Sequence, residues 1–94
     1  MSPDVLMIEH GCSDCAVLRA ILDYSKIMEP DFRGKSGQEL HIVVTLTPAA
    51  SLAVFKHYGV SAEYNPVMLT YDGKVLEDVN EIKAYLIDQG YAVE

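Results

Sequence analysis

The chain has 94 residues, half of them hydrophobic and 22% charged, which is the composition of one soluble globular domain and leaves no room for a second core. Seven Lys and Arg against fourteen Asp and Glu give a net charge of −7, so the basic excess that gathers a phosphate backbone is missing and no nucleic-acid partner is expected. No apolar run approaches the roughly 18 to 20 residues of a membrane-spanning helix, and Met1-Ser2-Pro3-Asp4 lacks the basic residues of a secretory signal, so the expectation is a cytoplasmic protein with no membrane partner.

Val5-Leu6-Met7-Ile8 is a continuous apolar run bounded by Asp4 and Glu9, the pattern of a strand buried on both faces. From Cys15 onward, Val17, Leu18, Ile21, Leu22 and Met28 are apolar, with Arg19, Asp23 and Lys26 between them. That spacing predicts one helix starting at or just after the cysteine pair. Glu29 to Gln38 carries one Pro, two Gly and mixed charge and reads as the longest loop. Leu40 to Leu46 is rich in β-branched residues and predicts a second, nearly apolar strand.

Thr47 and Pro48 suit the N-cap and first position of a second helix, with Leu52, Phe55 and Tyr58 inward and Gly59 as its stop. Val67 to Tyr71 and Lys74 to Leu76 flank Asp72-Gly73, the dipeptide of a tight hairpin. Asp78 or Asn80 then caps a last helix that turns Val79, Ile82, Tyr85 and Leu86 inward and ends at Gly90. The order βαβαββα predicts a single α/β domain over residues 1–94, a four-stranded mixed sheet with three helices covering both faces.

The only two cysteines, Cys12 and Cys15, sit where the first strand gives way to a helix, too close together to act as a structural staple. A cysteine at a helix N-terminus is shifted toward the thiolate by backbone amides and the helix dipole. Cys12 is therefore the expected nucleophile, and Cys15, one turn on and facing inward, the group that resolves its mixed disulfide. Asp14, between them, suits the first helical turn but disfavours a neighbouring thiolate, so a reductant or slow exchanger is expected. His10, two residues before Cys12, is a candidate to stabilise the thiolate or donate a proton. His41 and His57 read as structural or solvated. Two thiolates at this spacing also suit a soft metal such as Cu(I), so a metal or iron–sulfur carrier stays open beside the redox reading. A non-catalytic adaptor is the third possibility. No phosphate-cradling glycine loop or His-Glu-x-x-His pattern is present, so no organic cofactor is expected.

Cys12-Ser13-Asp14-Cys15 after the first strand, Asn65-Pro66-Val67 before the third, and the Asp72-Gly73-Lys74 hairpin leading to a closing helix together resemble the thioredoxin fold, and within it the small glutaredoxin-like proteins. The resemblance covers nearly the whole chain. It implies a dithiol-disulfide oxidoreductase, a cis peptide bond at Pro66 beside the cysteines, and an Asn65 backbone free to pair with an extended substrate. Tyr64 would border that groove. Three features of glutaredoxins that hold anionic glutathione are replaced here. A lysine ahead of the first cysteine, a basic residue ahead of the Thr-Val-Pro motif and a Gly-Gly pair before the last helix give way to Glu9, Glu63 and Glu77-Asp78. The expected substrate is therefore a protein disulfide, with weak glutathione binding and a thiol reductant, of the thioredoxin or glutathione system, to renew the dithiol.

Overall fold

The apolar run Val5 to Ile8 is covered on both sides. In the computed structural model, which describes residues 1–94, it forms β1 (Asp4–Glu9), flanked in the sheet by parallel β2 (Leu40–Thr45) and antiparallel β3 (Val67–Leu69). The two-residue strand β4 (Val75–Leu76) completes a four-stranded mixed sheet of order β2-β1-β3-β4. Alternate residues of β1 feed two cores. Leu6 and Ile8 pack with Cys15, Leu18, Ile82, Leu86 and Tyr91, while Val5 and Met7 pack with Phe55, Val60 and Val67. Helices α1 (Ser13–Ile21) and α4 (Val79–Asp88) thus cover one face, and α3 (Pro48–His57) the other.

The four-stranded mixed sheet matches the sequence reading, but there are four helices rather than three. The helix predicted from Cys15 to Met28 stops at Ile21, and a separate turn, α2 (Tyr24–Ile27), follows it. The cause lies at the other end of the chain. Val93 N–H donates to the Ile21 carbonyl and Asp23 N–H to the Tyr91 carbonyl, both at 2.9 Å, while extended Leu22 bridges Ala92. The carbonyl that a continuing helix would have used is taken by the C-terminal segment, and Met28 is left 77% exposed.

Two apolar faces are also narrower than their spacing suggests. On α3 the inward pair is Ser51 and Phe55, with Leu52 exposed. On β2, an edge strand, Val44 is exposed, as is Leu46 just beyond it. The predicted caps of the later helices hold: Thr47 Oγ1 accepts from Ala50 N–H at 3.1 Å, and Asp78 accepts from Asn80 and Glu81 N–H at 2.8 and 3.1 Å.

Asp4, which reads as a strand boundary, is wholly buried. Its carboxylate accepts from Gln38 Nε2 and the Tyr91 hydroxyl on one oxygen, and from Tyr71 N–H and the Tyr85 hydroxyl on the other, at 2.7 to 2.8 Å. Four donors replace the water that a buried carboxylate loses. The bundle joins the long loop, the hairpin, α4 and the C-terminal segment to the start of β1. Gly34 is part of it, since a Cβ there would collide with the Tyr91 hydroxyl and the Gln38 amide. Burial, and then the bonds to Asp4, push both phenols well above the ordinary tyrosine range.

Candidate active site

At the opposite end of β1 the chain turns sharply through Gly11, whose φ of +89° is strained for any residue with a Cβ. Cys12 follows with extended backbone and serves as the N-cap of α1. Its Sγ accepts the Cys15 N–H at 3.2 Å, the bond that a serine or aspartate usually supplies at a helix start. The first turn of α1 thus aims its unpaired amides at a half-buried sulfur. Cys15 is fully enclosed in the α1–α4 core, and its Sγ accepts the Glu9 N–H at 3.5 Å. Both cysteines are free. Burial and the hydrogen bond with Cys12 push the Cys15 thiol up to about 12, against a smaller opposing pull from the Glu9 N–H and Arg19.

The Asn65–Pro66 peptide bond is cis, and the Asn65 carbonyl accepts from Cys12 Sγ at 3.7 Å. Chain positions 53 apart are thereby brought against one sulfur. Pro66 is buried at the start of β3, whereas Tyr64 is 79% exposed. The N–H groups of Glu63, Tyr64 and Asn65 donate to no group of the chain. Glu9, Cys12, Pro48, Glu63, Tyr64 and Asn65 line a hollow of about 250 Å³.

Of the residues singled out in the sequence, Cys12, Tyr64 and Asn65 line this hollow, while Cys15 and Pro66 lie buried beside it. His10 is exposed, contributes only a backbone N–H to the Thr45 carbonyl at 2.8 Å, and is not part of the lining. The acidic set divides as well. Glu9 and Glu63 line the hollow and Asp14 stands in the first turn of α1, whereas Asp78 is occupied in capping α4 and Glu77 is exposed next to it.

A polar network behind the site was not foreseen. Asn65 Nδ2 donates to Ser51 Oγ at 2.7 Å and to Glu9 Oε1 at 3.4 Å, and Ser51 Oγ donates to the same Glu9 oxygen at 2.9 Å. Thr45 Oγ1 lies 2.6 Å from Ser51 Oγ and donates to the Ile8 carbonyl. The signal available in the sequence was Ser51 itself, a polar residue four positions before Phe55 and so on the inward face of α3. No third His, Cys, Asp or Glu joins the cysteine pair in a cluster able to hold a metal ion. No helix is long and apolar enough to cross a membrane.

The arrangement provides an accessible sulfur at a helix N-terminus, a second sulfur protonated at neutral pH and enclosed one turn away, and an unpaired stretch of backbone beside the first. No family model, curated protein or solved structure matches the chain.

Proposed function

We propose that the chain is a thioredoxin-like, glutaredoxin-type dithiol-disulfide oxidoreductase acting on protein disulfides. The observation that carries this reading is the unequal treatment of the two sulfurs, Cys12 half-buried at the helix cap and Cys15 enclosed with its proton held. The Asn65 carbonyl against Cys12 Sγ supports it, as do the unpaired N–H groups of residues 63–65, which suit an extended substrate strand.

In the forward direction the Cys12 thiolate attacks one sulfur of the substrate disulfide. That bond breaks as the Cys12–substrate bond forms, and the departing sulfur leaves as a thiolate and takes a proton. Cys15 then gives up its proton to solvent or to a leaving sulfur and attacks Cys12 Sγ, releasing the second substrate thiol. The substrate gains two electrons and two protons, and the protein is left with a Cys12–Cys15 disulfide. A thiol reductant of the thioredoxin or glutathione class, in a reducing compartment such as the cytoplasm, restores the dithiol. Burial of Cys15 makes withdrawing its proton the demanding part of the second step, in keeping with a slow exchanger.

Cys15→Ser tests the assignment. The variant should accumulate mixed disulfides at Cys12, seen by mass spectrometry, while the wild-type protein cycles between dithiol and disulfide in a glutathione redox buffer. Metal bound by the wild-type thiolates, together with no adduct in the variant, would make the protein a metal carrier instead. Failure of both would leave an adaptor.

A further inference from the structure

Glu9 is placed differently from the other acids of this protein. It is half-buried, lies three residues before Cys12, and lines the same hollow. Its N–H holds Cys15 Sγ, and its carboxylate is gripped by Ser51, itself only 3% exposed, and by Asn65, whose carbonyl meets Cys12. Both side-chain bonds fall on Oε1, so Oε2 accepts from no group of the chain. No Lys, Arg or His nitrogen lies within 4.0 Å of the carboxylate, since the single ion pair of the molecule is Lys35–Asp88. The other acid of the lining, Glu63, is exposed and makes no side-chain hydrogen bond.

We propose that Glu9 is a specificity-determining residue of the Cys12 mouth. Its clamped carboxylate disfavours anionic thiols and disulfides, glutathione among them, and admits neutral or cationic ones, such as a protein disulfide flanked by Lys or Arg. The effect follows from the clamp. A free surface carboxylate swings away and is screened, whereas one fixed in a partly desolvated wall acts on every reagent that reaches the sulfur. The same bonds make Glu9 a positioning residue, because through Ser51 and Asn65 it holds the residue-65 carbonyl against Cys12. The inference rests on the oxidoreductase reading for its substrate class but not for its test.

The test compares alkylation of Cys12 by two reagents with one leaving group, neutral iodoacetamide and anionic iodoacetate, each normalised to an uncharged cysteine peptide. Wild-type reduced protein should favour iodoacetamide by about three- to ten-fold beyond the peptide. Glu9→Gln, which keeps an oxygen acceptor for Ser51, should remove most of that preference. Glu77→Gln, with the same change in net charge but outside the hollow, should leave it in place. An unchanged ratio in Glu9→Gln, or equal changes in both variants, overturns the proposal. Should Glu9→Gln not fold, Ser51→Ala keeps the charge and frees it, and an unchanged ratio there overturns the proposal as well. With disulfides as probes, the wild type should reduce dicationic cystamine in preference to dianionic dithiodiglycolate, and Glu9→Gln should narrow the gap. Loss of exchange with both disulfides alongside an intact alkylation ratio would remove the oxidoreductase reading and leave the charge filter standing.

Discussion

Cys15 carries a proton that its surroundings will not readily release, and this has a consequence for stability. Its pKa rises from an ordinary 9.0 to about 12 in the folded chain. Between those values the unfolded chain has lost the proton and the native one has kept it, so the unfolded state binds fewer protons and stability falls as pH rises. The slope approaches about 1.4 kcal/mol per pH unit inside that window. Urea unfolding of the reduced protein from about pH 8 to about pH 10.5 should show this loss, and Cys15→Ser should flatten the curve between pH 9 and 10. Tyr85 and Tyr91 are shifted in the same direction and add to the fall above the ordinary tyrosine range. Tyr91→Phe removes one of the four bonds to Asp4 and should cost about 1 to 3 kcal/mol. Asp4→Ala, which strips the acceptor from four donors at once, should cost more and in the limit abolish folding. At the other end of the strand, Tyr64→Ala should raise KM for a protein disulfide several-fold with stability unchanged, as measured by exchange kinetics and thermal melting, because that ring is 79% exposed beside Cys12. The cysteine pair could be read from spacing alone because two residues three apart at a helix start lie one turn from each other. Asp4 could not, because a carboxylate before a strand looks the same whether it faces solvent or a ring of donors supplied from distant parts of the chain, and for Ser51 the spacing from Phe55 gives the face but not the partners.

Among the elements, β1, the hairpin and α4 follow from local pattern. An apolar run, a turn dipeptide and a capping aspartate each act within a few residues of themselves. Asp78→Ala should cost about 1 kcal/mol in chemical denaturation through loss of the α4 cap, with Cys12 alkylation unaffected. The break between α1 and α2 is of another kind. Nothing from Cys15 to Met28 forbids a helix. It stops because Val93 N–H reaches the Ile21 carbonyl, a competitor some seventy positions away that no window on the helix contains. On α3, Phe55 and Tyr58 face the core as expected and only Leu52 departs, for a related reason. Leu52 has the greater hydrophobicity, yet the helix turns Ser51 inward, where Thr45, Glu9 and Asn65 supply its partners.

At the scale of the whole molecule, a net charge of −7 on 94 residues works against the compact state through self-repulsion. Added sodium chloride should raise the melting temperature by a few degrees and, by screening the exposed Glu63 far more than the clamped Glu9, speed reaction with anionic disulfides only modestly. The two cores lie on either side of the sheet, and its central strand β1 feeds both of them; each end of that strand carries a carboxylate with its own duty. Asp4 gathers the loop, α4 and the C-terminal segment, and Glu9 gathers α3 and the residue-65 turn. β1 is also hydrogen-bonded on both edges. Its amide hydrogens therefore have no local route to deuterium: in heavy water those of Leu6, Met7 and Ile8 should exchange last, at the rate set by global opening, while the two residues of β4 exchange early.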